Sequence, residues 1–495
     1  MDFYLNLLNE RNAPRRPPVH RHHPLRREGR RRSRVALKHQ ANPIGVAEYE
    51  LQSKLPAEFR GSCPPPNNSP KSCGNVADIL FSNVDKHTFE SETPVRLCNY
   101  VDVYKNDRIT SEIEFMEASA EPREIARFQI QKGDVLATKD SETSDDIAIP
   151  ALVSEYLPGV LCGYHLALIR PRLHQVDGPY LAWLHCSKPF RSHYEAQAVG
   201  VTRFGLSQAA FKEARIPLPP LPEQQRIAAY LDASCAAIDA AVAAKRRQLD
   251  TLDKLRSSII SRTVTQGLSV KAPMKLSGLD WVTEIPAHWK VQQIKRLCRL
   301  VRGQFTHRPR NDPALYDGPY PFIQTGNITA AGKYIRTHSQ TLNELGLSAS
   351  KQFPRGTLVM SIAANIGDVA ILDFEACFPD SMIGMIPGHK TNLDFLYYLM
   401  RSMRSIMLRS AVQSTQLNLN YVRIGTNFAP VPPLKEQAAI AEYLDAKEHE
   451  SHLVSSTIET QIATLTAYRK SLIHECVTGQ RRITEADINR VESHG

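Results

Sequence analysis

The chain reads as an α+β protein: two similar α/β domains, each followed by a long helix, with the two helices pairing as an antiparallel coiled coil of pseudo-two-fold symmetry. Three observations predict this. Residues 217–232 (PLPPLPEQQRIAAYLD) recur at 430–445 as PVPPLKEQAAIAEYLD. The match continues at one offset of 213: Arg256-Ser257-Ser258-Ile259-Ile260 faces Arg469-Lys470-Ser471-Leu472-Ile473, and Val264-Thr265 faces Val477-Thr478. Each repeated segment then carries apolar residues at heptad spacing. Solenoids and propellers repeat every 20–50 residues or so, so this wide spacing means two copies of a whole module.

Residues 1–74 come first, and we read them as a basic, Pro/Arg-rich disordered segment. RRPPVHRHHPLRREGRRRSR and Cys63-Pro64-Pro65-Pro66 hold too little apolar surface to fold. The segment is either a basic arm for DNA phosphates or else a solvated tail or a misassigned start of the reading frame, and the latter readings are favoured. The net charge is +10, but residues 1–40 alone carry eleven Lys/Arg against three Asp/Glu, leaving about +2 for the other 455 residues. Charge therefore says little about the folded body, and any nucleic-acid function has to be argued from the modules.

Residues 75–221 form the first α/β domain. Pro94–Leu97, Gly133–Leu136 and Gly159–Leu161 are its strand candidates, and Tyr180–Lys188 its helix. Residues 222–268 form the first long helix, with Pro222 and Glu223 in its first turn and Gly267 as its stop. Its seam is Cys235, Ile238, Val242, Leu249, Leu252 and Ile259, with Lys245 and Arg256 as polar interruptions. Residues 269–434 repeat the domain, with strands at Tyr320–Ile323, Thr357–Met360 and Asp368–Leu372 and a helix at Phe395–Met400. Residues 435–480 repeat the helix, with Ile458, Ile462, Leu465 and Leu472 on the seam, and 481–495 form a tail. Leu97–Asp102 lines up with Ile323–Ile328, and Ile130–Leu136 with Phe353–Val359. The helices match more closely than the domains. Like helices imply a common partner or mutual packing, and unlike loops on one frame imply two different things being read.

The nine cysteines contain no CxxC pair, which argues against a zinc ribbon and for a reduced, cytoplasmic protein. No run of 18 apolar residues suggests a membrane span. There is no GxxxxGK[ST] phosphate loop, no NPPF-type adenine-methyltransferase motif and no HExxH metal spacing, so no catalytic residue and no metal ligand is assigned.

The repeated P-L-x-E-Q…I-A-x-Y-L-D segments and the R-x-S-x-I…V-T closings resemble those of the specificity subunit of Type I restriction-modification systems. So does the Ser277–Trp289 run, S-G-x-x-W-x-x-x-I-P-x-H-W. The resemblance covers about residues 76–480. It implies two target-recognition domains, each reading half of a bipartite, asymmetric site in double-stranded DNA, and helices that set the spacer. It also implies docking of two methyltransferase subunits and of restriction/translocase subunits, with S-adenosylmethionine, ATP and Mg on those partners and no cofactor on this non-catalytic chain. The chain departs from the pattern in one place: nothing before residue 76 matches the Trp281–Trp289 run. A first domain without its opening helix and strand is therefore expected. The alternative reading is a degenerate subunit that serves only as a methyltransferase-binding scaffold.

Candidate DNA contacts are polar and aromatic residues in loops. Asparagine suits adenine, arginine suits guanine or phosphate, and lysine suits phosphate. In the first domain they are Asn99, Tyr100, Asp102, Tyr104, Lys105, Lys139, Ser141, Thr143, Thr202 and Arg203. In the second they are Arg302, Gln304, Gln324, Thr325, Asn327, Ser361, Asn365, Ser414, Thr415, Gln416 and Asn418. The bland alternative for each is a turn or cap. Candidate partner contacts are Glu223, Gln224 and Tyr230 with their repeats Glu436, Gln437 and Tyr443, the alternative being helix-dipole compensation and packing on their own domains.

Overall fold

Pro220 and Pro433 directly precede the two longest helices, Leu221–Gln266 and Leu434–Val477. Proline cannot donate into a preceding turn, so each helix starts sharply here. The computed structural model describes residues 71–363, 365–410 and 421–492, which lie within one compact unit, Asn67–Gly495. The basic sequence before Lys71 and the candidates Ser414, Thr415, Gln416 and Asn418 lie outside the described residues.

The first domain runs in order β1 (Lys71–Ser72), a 3-10 turn (Cys73–Asn75), β2 (Ala77–Phe81), β3 (Thr93–Cys98), α1 (Tyr100–Lys105), β4 (Arg108–Ile109) and β5 (Met116–Ala120). Next come α2 (Pro122–Phe128), β6 (Val135–Thr138), β7 (Asp140–Ser141), β8 (Pro150–Val153), β9 (Val160–Cys162) and β10 (Leu166–Pro171). It ends with α3 (Gly178–Cys186), α4 (Lys188–Gln197), β11 (Phe204–Gly205), α5 (Gln208–Glu213) and β12 (Arg215–Ile216), before the long helix α6 (Leu221–Gln266).

The second domain opens with the hairpin β13 (Met274–Leu279) and β14 (Val282–Pro286), then β15 (Lys290–Gln293), α7 (Ile294–Leu297), β16 (Cys298–Arg302) and β17 (Tyr316–Phe322). It continues through α8 (Thr325–Ala330), β18 (Tyr334–Ile335), β19 (Gln340–Leu342), α9 (Glu344–Ser348), β20 (Gln352–Phe353), β21 (Leu358–Ser361) and β22 (Val369–Leu372). Then follow β23 (Ala376–Cys377), β24 (Met382–Pro387), α10 (Leu393–Ser402), α11 (Arg404–Ser410), α12 (Tyr421–Thr426) and β25 (Phe428–Val431). The long helix α13 (Leu434–Val477) and the short α14 (Glu485–Glu492) complete the chain.

The two domains share one topology. A five-stranded sheet is ordered β2-β10-β6-β8-β4 in the first and β16-β24-β21-β22-β18 in the second. In both, the first three pairings are antiparallel and the last is parallel. A smaller sheet, β5-β3-β9, corresponds to β19-β17-β23 with β20 added. Val135 pairs with Leu152 as Leu358 pairs with Ile371, which is the register expected for Ile130–Leu136 against Phe353–Val359. The other expected alignment is one residue out. Asn99 N–H donates to Asp102 and Gln324 N–H to Asn327, so Asn99 matches Gln324, where the sequence comparison set Cys98 against it.

The strand and helical turn that correspond to β15 and α7 are present at the start of the first domain, which corrects the expectation of a missing opening helix and strand. β1 pairs with β12 as β15 pairs with β25. Cys73 N–H then donates to Ala214 O as Ile294 N–H does to Asn427 O. Residues 71–74, grouped with the disordered segment from their Pro/Asn-rich surroundings, therefore belong to the domain. The tail at 481–495 likewise contains a helix, α14. Ile483 is buried, and Ile488 and Val491 pack against the core formed by the first domain and α6.

The helices are antiparallel. Arg256 of α6 meets Glu448 of α13, and Arg469 of α13 meets Asp239 of α6. Each domain packs on the start of its own helix and the end of the other. Ile227, Leu231 and Ile238 share a core with Leu472, Ile473 and Cys476. Ile440 and Leu444 share one with Ile260 and Val264. Between these ends Val242, Leu249, Leu252, Ile458 and Ile462 are only half-buried, as two helices without a third neighbour must be. One 18-residue window of α6 reaches a mean hydropathy of 1.5, enough by length and composition to cross a membrane. Its apolar side here packs against α3 and α13.

Candidate nucleic-acid interface

In the first domain, α1, the β6–β8 connection, the β9–β10 turn and the segment before β11 converge. Tyr100 and Tyr104, four residues apart on α1, stack with centroids 5.6 Å apart. Tyr104 donates its hydroxyl to Asp146 Oδ2 at 2.6 Å. Lys139 Nζ donates to Asp140 at 3.1 Å and lies 4.8 Å from the centre of the Tyr164 ring. His165 Nδ1 is 2.9 Å from the same Asp140 carboxylate. β7 pairs with β11, which draws the exposed Arg203 to within 3.3 Å of His165. Four of the predicted residues are thus gathered, Tyr100, Tyr104, Lys139 and Arg203, while Ser141 is a correction: it is buried beside the Tyr100 hydroxyl. Thr202, Thr143 and Lys105 are exposed nearby in sequence. Asn99 and Asp102 close the first turn of α1 on each other.

The electrostatics follow from this packing. Burial, with Asp146 nearby, pushes the Tyr100 hydroxyl up to about 12, so it stays a donor. Burial also raises Asp140, but the hydrogen bonds from His165 and Lys139 outweigh it and hold that carboxyl below its ordinary value. The result is a surface with an exposed guanidinium, aromatic faces and a carboxylate, suited to phosphates and base edges together. Sequence reasoning missed Asp146, Tyr164 and His165. The β9–β10 turn brings in Tyr164 and His165, and the loop closed by the Ala148 N–H to Thr138 O bond brings in Asp146, and neither short element has a periodic signal.

The second domain builds the corresponding place with different side chains. Asn365 Nδ2 donates to Thr329 Oγ1 at 2.8 Å, and Thr329 Oγ1 donates to Asp368 at 2.9 Å. Arg404 then pairs with Asp368 at 3.0 Å. Gln324 donates to Gln340 at 3.0 Å, with Thr325 and Asn327 in the same turn. Arg302 is exposed and donates to the Asp380 carbonyl at 2.8 Å. Gln304 is half-buried, and its backbone carbonyl accepts from Ser350. Ser361 is a correction: it is fully buried and donates to Ala363 O at 2.6 Å, so it closes a turn and reaches no base. Beside Thr329 and Asp368 lies a groove of about 1360 Å³ between this domain and the helices, reaching Arg256, Arg401 and His452.

The repeated helix starts fasten the domains. Gln224 and Gln437 are buried and bonded to their own domains, which corrects their reading as partner contacts. Tyr230 is buried beneath Arg481, 5.2 Å from its ring centre, and is likewise corrected. Glu223 and Glu436 are half-buried, the latter 2.8 Å from His288. Tyr443 is 39% exposed and does face outward. The Asp that ends Y-L-D is a second fastening. Asp232 accepts from Trp183 Nε1 at 2.8 Å and from Arg108 at 2.5 Å. Asp445 accepts from the Tyr398 hydroxyl and from Lys333, both at 2.6 Å.

Two domains of one topology, carrying different polar heads at matched positions and fastened to opposite ends of a helical pair, define a scaffold of two matched but chemically distinct modules. The chain belongs to the family described as Type I restriction modification DNA specificity domain, matching it over residues 100–249 and 286–463. It is 27% identical over 337 residues to the putative type I restriction enzyme MjaX specificity subunit of Methanocaldococcus jannaschii, an alignment spanning 65% of this chain and 73% of that one. It is 19% identical over 306 residues to the type I restriction enzyme EcoBI specificity subunit of Escherichia coli, spanning 60% and 64%. A chain solved in work on complex assembly and conformational transition of the type I R-M system shares the fold. It superposes with a TM-score of 0.67 at 18% identity, covering 84% of this chain and 99% of that one. This chain is thus a specificity subunit, the DNA-recognition component and not the catalytic one.

Proposed function

We propose that each domain reads one half of a bipartite, asymmetric DNA site, and that the paired helices set the unread spacer between the halves. One observation carries this reading: the two domains share the order and directions of their five-stranded sheets, yet one has Tyr104 and Asp146 where the other has Thr329 and Asn365. A helical pair of some forty residues is on the order of 60 Å long, compatible with half-sites about one DNA turn, ~34 Å, apart. The outer faces of the helices, including Tyr443, dock methyltransferase subunits, two by the pseudo-symmetry, and restriction/translocase subunits join that complex. S-adenosylmethionine, ATP and Mg belong to those partners and none to this chain.

The test is single-molecule mapping of N6-methyladenine in DNA from cells expressing this chain with a Type I methyltransferase subunit, against cells lacking the chain. A new bipartite motif is expected. A motif containing one half only, with the complex assembled, would overturn the two-reader reading.

A further inference from the structure

The loop that enters β8 and the loop that enters β22 differ in length, since Thr138 to Ala148 spans four residues more than Ser361 to Gly367. They nevertheless end alike. Ala148 N–H donates to Thr138 O and Gly367 N–H to Ser361 O, both at 2.9 Å. Ala148 and Gly367 both take the left-handed conformation, φ 57° and 82°, and the preceding Ile147 and Ile366 are both buried. The residue before each isoleucine is therefore set in the same place: Asp146 in the first domain, Asn365 in the second. On the facing helix, Tyr104 and Thr329 each stand five residues after the matched Asn99 and Gln324. In both domains the facing pair is hydrogen-bonded, at 2.6 and 2.8 Å.

We infer that this matched pair determines one base in each half-site, with Asp146 taking a base that presents an exocyclic amine in the major groove and Asn365 taking adenine. The inference rests on the proposed reading of one half-site per domain. Chemistry makes the assignment. A carboxylate accepts and does not donate, and Tyr104 occupies one of Asp146's oxygens. The other oxygen suits the amine of cytosine N4 or adenine N6. Asn365 is oriented by its neighbours. The Thr329 hydroxyl gives its proton to Asp368, so it must accept from Asn365, and the amide nitrogen faces it. That leaves the amide oxygen and a second N–H, one acceptor and one donor, which match adenine N6 and N7. Both partners are held before a ligand arrives, Tyr104 by its stack on Tyr100 and Thr329 by the Asp368–Arg404 pair.

The experiment uses the full chain assembled with its methyltransferase subunit, unmodified and as Asp146→Asn and Asn365→Asp. Binding is measured to a panel of duplexes in which each pair of the mapped motif is replaced in turn. Each variant is expected to change the preference at one position, by roughly tenfold or more, in its own half-site, and to leave the other half unchanged. A uniform weakening without altered preference would mean the pair only supports the loop and would overturn the inference. So would an unchanged profile, or a change in the wrong half-site. If the unmodified chain yields no bipartite motif, the underlying reading fails first, and that failure is seen before any variant is compared.

Discussion

Gln224 and Gln437, 213 positions apart, make the same three hydrogen bonds. Gln224 Oε1 accepts from Asp177 N–H at 2.9 Å, and its Nε2 donates to Pro219 O at 2.7 Å and Gln175 O at 3.2 Å. Gln437 Oε1 accepts from Asn392 N–H at 2.8 Å, and its Nε2 donates to Pro432 O at 3.0 Å and Lys390 O at 3.2 Å. Each amide joins the chain entering a long helix to the loop that starts α3 or α10, so it ties the domain to the helix. Replacing either by Leu strands one N–H and two carbonyls in a buried site. We expect a loss of about 1–3 kcal/mol in each case, confined to one half of the molecule. Hydrogen exchange would show it as early opening of α3 for Gln224→Leu and of α10 for Gln437→Leu, with the opposite domain unchanged.

The ion pairs across the helices set their register. Glu448 is contacted by Arg256 and by Arg401, the latter at 3.2 Å. The hydrogen bond to Glu448 raises the Arg256 guanidinium further above its ordinary value. Glu448→Ala would leave two guanidinium groups facing each other. With Arg256 more than a third exposed, solvent screens much of the pair, so a destabilisation of only about 1 kcal/mol is expected. The double exchange Arg256→Glu with Glu448→Arg should recover part of it. A denaturant double-mutant cycle measures the coupling, and a coupling of zero would mean the apolar seam alone holds the register.

How much of this was legible in the sequence depended on the signal each element carries. The long helices and their repeat were plain because an offset of 213 and heptad spacing survive over some fifty residues. Strands β3, β6, β9, β21 and β22 were legible as short apolar runs between glycines and prolines. The roles of Gln224 and Gln437 were not, because a repeated polar residue looks the same whether it faces a partner or pins its own domain. The first domain's opening was hidden because two-residue β1 and a 3-10 turn bury only Cys73 within Lys71–Asn75. Asp146 and His165 were missed because their importance depends on contacts with residues 42 and 25 positions away. Tyr100, Tyr104, Lys139 and Arg203, singled out as aromatic and basic residues of polar loops, are brought together in the fold.

Trp289 closes the second module where the two helices meet. It is 1% exposed, and its ring lies against Gly267, the left-handed residue that ends α6. A Cβ on Gly267 would sit 3.1 Å from both the Trp289 ring and Glu436 Oε1, besides the cost of its φ of 73°. Trp289→Ala should destabilise the second domain by about 3–5 kcal/mol, whereas Trp289→Phe, which keeps most of the buried ring, should cost much less. Thermal melts of the two variants test this. Equal losses would place the stabilisation in the benzo edge packed on Gly267 rather than in general aromatic burial, since the indole N–H has no hydrogen-bond partner among the described residues.

His185 gives the first domain a dependence on pH. It is fully buried between Phe190 and Tyr194, with its Nδ1–H donating to Leu181 O at 2.8 Å. Burial pulls its pKa down from 6.5 to about 4, because an imidazolium there has no solvent and its Nε2 has no acceptor among the described residues. Above about pH 6.5 the ring is neutral both folded and unfolded, and its full contribution is present. Between about 6.5 and 4 the unfolded chain binds a proton that the folded one refuses, so stability falls as pH falls, by up to about 3 kcal/mol. Below about 4 both states carry the proton, and the loss is complete. His185→Phe keeps the aromatic packing and removes the titration, so its stability should fall less steeply over that window than the unmodified chain's. Denaturant midpoints for the first domain at pH 7.5 and 4.5 measure the difference, and parallel slopes for the two proteins would assign the acid sensitivity to the carboxylates instead.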